Sequence, residues 1–174
     1  MILIGFAVMS LDGCLTRHDE AGTTFASPED HGFFRAALQT FDSVLAGRKT
    51  WEASRESPLW SKPDSRLRLI LTSTPERFAE AAREGELEFH DTSLEAAVAC
   101  LGSRGRTRGA LLGGARLFTD ACRAGVLDEL WVTVEPRAFG QGERMFEGRV
   151  DFRFALSSTE ALSKDTLLLK YRRA

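Results

Sequence analysis

The 174 residues correspond to about one domain, against a typical length of roughly 150 residues. Hydrophobic residues make up 43% and charged residues 28%, a balance that excludes intrinsic disorder and supports a packed core. The net charge of −2 gives no global electrostatic basis for nucleic acid or an anionic membrane as main partner, so any bound anion is caught by a local site.

In chain order, the apolar start at residues 2–9 reads as a buried first strand. It has no basic segment before it and is far shorter than the ~20 residues of a membrane span, so no membrane partner and a cytoplasmic location are expected. Ser27-Pro28-Glu29-Asp30 then reads as a helix start, with a cap, a proline and an acid three residues after the cap, opening a helix over 28–40. A strand at 43–46 runs into a helix at 48–54. A strand at 67–71 is followed by Thr74-Pro75 and a helix at 75–84. A strand at 87–90 precedes Thr92-Ser93-Leu94-Glu95, another cap-to-acid spacing, and a helix over 93–101. A strand at 110–112, a helix at 115–124 and a strand at 130–134 complete the alternation. Beyond Glu135, strands at 152–156 and 166–171 follow with a turn at Ser163-Lys164-Asp165 and no helix between them, so they pair antiparallel. The expected fold is a single α/β domain over 1–174. Its mixed sheet is parallel at the centre, with an antiparallel C-terminal hairpin and helices on both faces. Cys14, Cys100 and Cys122 have no paired spacing and read as free thiols, and His18, His31 and His90 show no metal spacing.

Three strand–turn–helix corners carry chemistry. Gly47 ends a buried strand just before a helix, where a ligand can approach the backbone and unpaired N–H groups suit a phosphate. Arg48 and Thr50 can add donors there. Thr72-Ser73-Thr74 ends a second strand with hydroxyls, which serve an anion or simply cap a helix. Gly113 and Gly114 end a third, which suits a diphosphate or a flat ring against the backbone, or tight packing at a turn. The carboxyl ends of parallel strands share one edge, so all three corners face one crevice.

In this order, Gly47-Arg48-Lys49-Thr50-Trp51-Glu52, Leu69-Ile70-Leu71-Thr72-Ser73 and Leu112-Gly113-Gly114-Ala115 resemble dihydrofolate reductase. Ser10-Leu11-Asp12-Gly13, Asp128-Glu129-Leu130, Glu135-Pro136 and Phe139-Gly140-Gln141-Gly142 resemble the reductase domain of riboflavin biosynthesis. The resemblance covers nearly the whole chain and implies a dihydrofolate reductase-like three-layer fold with an NADPH site. It implies that Arg48, Lys49 and Thr50 hold the adenosine side, that Thr72 and Ser73 lie near the 2′-phosphate, and that Gly113, Gly114 and Ala115 follow the diphosphate, with Ala7 also at the cofactor. A homodimer, with no partner besides a small-molecule substrate, is implied as well. Two departures stand out: Phe6 occupies the place of a riboflavin-type lysine, and Leu112 that of an acid before the paired glycines. The P-C-x-x-C of the zinc deaminase half does not occur.

Asp30 shares a helix face with Phe33 and Phe34, where a carboxyl would be held protonated and could anchor or protonate a nitrogen heterocycle; its spacing from Ser27 equally fits a capping box. It sits where dihydrofolate reductase keeps its active-site carboxylate. On that resemblance Phe34, Thr133 and Arg66 touch substrate, although Arg66 also reads as a solvated loop residue and Thr133 as an ordinary strand threonine. Asp12 reads as a turn residue with a weaker claim to the nicotinamide, and Arg104–Arg108 as a solvated run with a weaker claim to the 2′-phosphate. The function expected is NADPH-dependent hydride transfer to a riboflavin-type aminopyrimidine. The alternatives are a dihydrofolate reductase acting on a pterin and a largely non-catalytic NADP(H)-binding protein.

Overall fold

The computed structural model describes residues Met1–Ala174. Eight strands form one sheet: β1 (Ile2–Ser10), β2 (Ser43–Gly47), β3 (Leu67–Leu71), β4 (Leu87–His90), β5 (Arg108–Leu111), β6 (Glu129–Glu135), β7 (Phe154–Ala161) and β8 (Leu167–Arg173). Their order is β4-β3-β2-β5-β1-β6-β8-β7. Strands β1 to β6 are mutually parallel, and β8 and β7 continue the sheet antiparallel beside β6. Between them lie α1 (Pro28–Leu38), α2 (Arg48–Ser54), α3 (Pro58–Ser61), α4 (Leu94–Ser103) and α5 (Ala115–Arg123).

The strands read as near-continuous apolar runs because both faces of the sheet are covered. Successive side chains alternate between two cores. Leu3, Leu45, Leu67, Leu69, Leu111, Leu130 and Val132 face α4 and α5, joining Leu94, Ala97, Leu101, Phe118 and Ala121. Ile4, Phe6, Val44, Ala46, Ile70 and Ala110 face the other way, joining Leu38 of α1, Trp51 of α2 and Trp60 of α3. The chain travels outward from β1 to β4 on the α1–α3 face and returns through α4 and α5 on the opposite face. That is how right-handed crossovers clothe both sides of a parallel sheet. No helix is long and apolar enough to cross a membrane.

Tertiary contacts override the sequence reading in four places. The expected helix at 75–84 shrinks to a 3₁₀ turn, Pro75–Phe78. Phe78 stacks on Phe89 and meets the edge of Trp51, and Arg83 then pairs backbone-to-backbone with Leu87 across a turn with Gly85 at φ +75°. The α4 cap is Ser93, whose hydroxyl accepts from the Ala96 N–H, rather than Thr92. The last hairpin begins later than 152 because the polar outer strand β7 carries too little apolar alternation to mark its own bounds. Helix α3 went unseen, and it is seated by Arg68, a fully buried strand arginine that donates to the Leu59 and Lys62 carbonyls of that segment. The three cysteines are free, and Cys14 is fully buried.

Candidate active site

The C-terminal edge of the parallel strands opens into a cleft of ≈ 2020 Å³. This exceeds the ~300–1,000 Å³ that hold one drug-sized ligand, leaving room for an extended cofactor and a second molecule. Ala7, Gly47, Arg48, Lys49, Thr50, Thr72, Ser73, Gly114 and Ala115 line it, as do Asp30, Phe34, Arg66 and Thr133. Gly113 holds the floor beneath them, its carbonyl accepting from the Gly47 N–H at 3.0 Å.

At one end, α2 and α5 start on Gly47 and Gly114, with no side-chain cap and no acid in the first turn. Helices α1 and α4, by contrast, are capped by Ser27 and Ser93 and carry first-turn acids. The first-turn N–H groups of α2 and α5, and the positive ends of their dipoles, therefore face the cleft with no acid from their own first turns to answer them. A β-carbon on Gly114 would stand 3.9 Å from the Thr50 hydroxyl oxygen, with only the Glu143 carboxylate nearer, at 3.6 and 3.8 Å. Space above this glycine is what a diphosphate passing over the backbone requires. With Arg48 and Lys49 alongside, the residues present fit a phosphorylated dinucleotide. Arg48 meanwhile pairs with Glu52 one turn along, at 3.0 Å.

The other end is aromatic. Phe6 stands at the centre, its ring 5.1 Å from Trp131, 5.3 Å from Phe41, 5.6 Å from Phe34 and 6.4 Å from Phe33. Its place as an apolar residue is thus occupied by packing rather than left open. Helix α1 contributes Phe33, Phe34, Ala37 and Leu38 at helical spacing, and Asp30 belongs to the same stripe. Asp30 is only 8% exposed. Burial pushes its carboxyl above the usual carboxylate range, against a lowering hydrogen bond from Thr133 and the nearby His31, while Glu135 adds to the rise. Ser27 caps α1 through its hydroxyl, which accepts from the Asp30 N–H at 3.2 Å. The Asp30 carboxyl itself does not close the capping box, because the Ser27 N–H donates instead to Glu135 Oε1 at 2.8 Å. The two readings of Asp30 are thereby separated: its backbone serves the cap and its side chain faces the cleft.

Other candidates are engaged by partners of their own. Arg66 is not a solvated loop residue: it pairs with Asp64 through both carboxylate oxygens and donates to the Leu38 carbonyl at 2.9 Å, tying its loop to the end of α1. Asp12 lies outside the cleft lining and binds backbone. It accepts from the Ser10 hydroxyl at 2.6 Å and from the Gly140 and Phe139 N–H groups at 2.6 and 3.2 Å, contacts that hold its carboxyl down to about 2. The motif Ser10-Leu11-Asp12-Gly13 is therefore the clasp that fastens residues 137–144 to the β1–α1 loop. The Arg104–Arg108 run lies at the N-terminal edge of the parallel strands, away from the Gly47, Thr72 and Gly114 corners. Arg104 pairs with Glu88, and Arg108 covers the Phe41 ring. Sequence reasoning missed Trp131 and Glu135. An acid ending the apolar strand Leu130–Glu135 was a visible signal, but its partner Ser27 is 108 residues away.

A family model, the RibD C-terminal domain, matches residues 2–168, so the chain belongs to that family. It is 26% identical over 145 residues to the uncharacterised protein YwjB of Bacillus subtilis (strain 168), covering 81% of this chain and 80% of that one. Its fold is similar to that of a diaminohydroxyphosphoribosylaminopyrimidine deaminase/5-amino-6-(5-phosphoribosylamino)uracil reductase from Thermotoga maritima. That match has a TM-score of 0.79 at 18% identity, over 99% of this chain and 56% of the longer one. It is also similar to dihydrofolate reductase from Enterococcus faecalis complexed with NADP(H) and RAB-propyl, with a TM-score of 0.73 at 21% identity over 99% and 96% of the two chains.

Proposed function

We propose that this member of the RibD C-terminal domain family is an NADPH-dependent reductase of a small, flat nitrogen heterocycle, with a riboflavin-type aminopyrimidine such as 5-amino-6-(5-phosphoribosylamino)uracil as the first substrate to try. One observation carries the reading: a single cleft holds two glycine-started helix ends on one side and, on the other, a buried carboxyl among aromatic rings whose charged form burial disfavours. NADPH, when bound, supplies the hydride. Arg48, Lys49, Thr50, Thr72 and Ser73 hold its adenosine side, Gly113, Gly114 and Ala115 let its diphosphate pass, and Ala7 borders the nicotinamide. Phe33, Phe34 and Trp131 exclude water and bracket a planar ring. Burial disfavours the charged form of Asp30, and Thr133 steadies its carboxyl. With a pterin its proton would go to the ring nitrogen next to the carbon that takes the hydride. With the aminopyrimidine the hydride would add to C1′ of the ribosyl group as the bond to the sugar-ring oxygen breaks, the proton going to that oxygen. No nucleophile is needed for hydride transfer from a bound nicotinamide.

A pterin is the second reading, favoured by the pairing of Asp30 with Thr133 opposite aromatic rings, a set suited to an amino-substituted ring. Titrating NADPH by its fluorescence and then following its oxidation with each heterocycle tests the proposal. Oxidation with the aminopyrimidine supports the first reading and oxidation with a pterin alone supports the second. Tight binding with turnover of neither leaves an NADP(H)-binding protein, and no binding at all refutes the cofactor assignment.

A further inference from the structure

In a capping box the acid three residues after the cap returns its carboxylate to the backbone N–H of the cap residue. Helix α1 has the residues for that box, Ser27 and Asp30, but its return bond is made by another element. The Ser27 N–H donates to Glu135 Oε1 at 2.8 Å, and the second oxygen of Glu135 accepts from the Thr166 hydroxyl at 3.1 Å. Glu135 ends β6 and is 2% exposed. Trp131, Thr133 and Glu135 alternate along β6 and so point to the same face, toward α1. The strand that supplies the donor beside the Asp30 carboxyl therefore also supplies the acid that relieves that carboxyl of capping.

We propose that Glu135 is the positioning residue of Asp30: by taking over the N-cap N–H of α1 it keeps the Asp30 carboxyl turned into the cleft. This rests on the reading of Asp30 as the substrate-facing acid, and it extends that site to a residue in the wall behind it. Besides Glu135 and Thr133 from β6, Asp30 has His31 beside it on α1. Lys170 of β8 lies on the aromatic patch, 4.4 Å from the Trp131 ring and 5.7 Å from that of Phe33.

Two variants separate position from charge. In Glu135→Gln the amide oxygen still accepts from Ser27 and the amide still meets the Thr166 hydroxyl, so the geometry is kept and one negative charge is lost. In Glu135→Ala the Ser27 N–H is left without its acceptor. A buried orphan of this kind is costly, and the Asp30 carboxyl is the acceptor the box geometry offers. The first readout is the titration of the Asp30 carboxyl followed by ¹³C NMR of the labelled free protein, which needs neither cofactor nor substrate. The midpoint should fall in Glu135→Gln and fall further in Glu135→Ala, where the carboxylate gains a backbone donor. The second is steady-state kinetics: KM should stay within about threefold in Glu135→Gln and rise about tenfold or more in Glu135→Ala, as for loss of one hydrogen bond to a charged group. An Asp30 midpoint no lower in Glu135→Ala than in Glu135→Gln overturns the proposal. If Glu135→Ala does not fold, the similarly sized Glu135→Met, which also removes the acceptor, carries the same comparison, and a midpoint no lower than in Glu135→Gln overturns it. The expected midpoint shifts in a protein that turns over no heterocycle would uphold the positioning role and refute the function proposed for Asp30.

Discussion

Gly113 and Gly114 adjoin in sequence but face opposite demands, so alanine at each should fail differently. Gly113 has φ +83°, and its β-carbon would stand 2.8 Å from Cε2 of Phe118, a ring only 1% exposed in the α5-side core. The left-handed backbone costs an alanine about 1–2 kcal/mol, and overpacking a filled core adds about 1–3 kcal/mol, so Gly113→Ala should lose about 2–5 kcal/mol of stability. Gly114 has φ −77°, which any residue adopts, and its β-carbon would meet nothing nearer than 3.6 Å. Alanine as an N-cap is poorer than glycine, so Gly114→Ala should lose no more than about 1 kcal/mol. Its methyl group, however, stands where the diphosphate would pass. A clash of about 1–3 kcal/mol there weakens NADPH binding about 5- to 150-fold. Urea denaturation and fluorescence titration of NADPH on both variants make the test. The expected result is a crossing, with stability lost at residue 113 and affinity lost at residue 114. Gly114→Ala with wild-type stability and wild-type affinity would refute the path assigned to the diphosphate.

Asp30→Asn should act oppositely on stability and activity. Because burial raises its pKa, Asp30 binds its proton more tightly folded than unfolded, and the fold loses stability as pH rises from 3.8 through the raised value. The asparagine variant should therefore melt higher than wild type at neutral pH, the gap closing as pH falls toward 3.8, while kcat/KM falls about 10²- to 10⁴-fold. Equal melting curves at all pH values would contradict the burial argument. Asp12 has the reverse sign: its depressed carboxyl stabilises the fold above 3.8, and that contribution is lost as pH drops from 3.8 through about 2. In Asp12→Asn this acid limb should flatten, and amide exchange at Phe139 and Gly140 should speed up. Unchanged exchange there would show that the clasp is not what holds the loop.

Much of this molecule was legible in the linear chain because both faces of its central sheet are buried. Leu3-Ile4, Val44-Leu45-Ala46 and Leu69-Ile70 are apolar without interruption, and the β2 run ends at Gly47 just where α2 begins, so strands and crossovers could be read locally. The polar outer strand β7 offered no such contrast. The stretch after Pro75 follows local helix signals that the stacking of Phe78 on Phe89 overrules. Charged residues were least legible, since their roles depend on partners distant in sequence. Arg66 is claimed by Asp64 and the end of α1, and Asp12 by backbone 127 residues away. The sequence by itself determined that strands end in glycine and hydroxyl corners along one edge and that a carboxyl shares a helix face with aromatic rings, because period and caps are properties of neighbouring residues. Only the tertiary structure decided which way that carboxyl turns. The bond that frees it joins Ser27 to Glu135, and nothing but the folded sheet brings those two together.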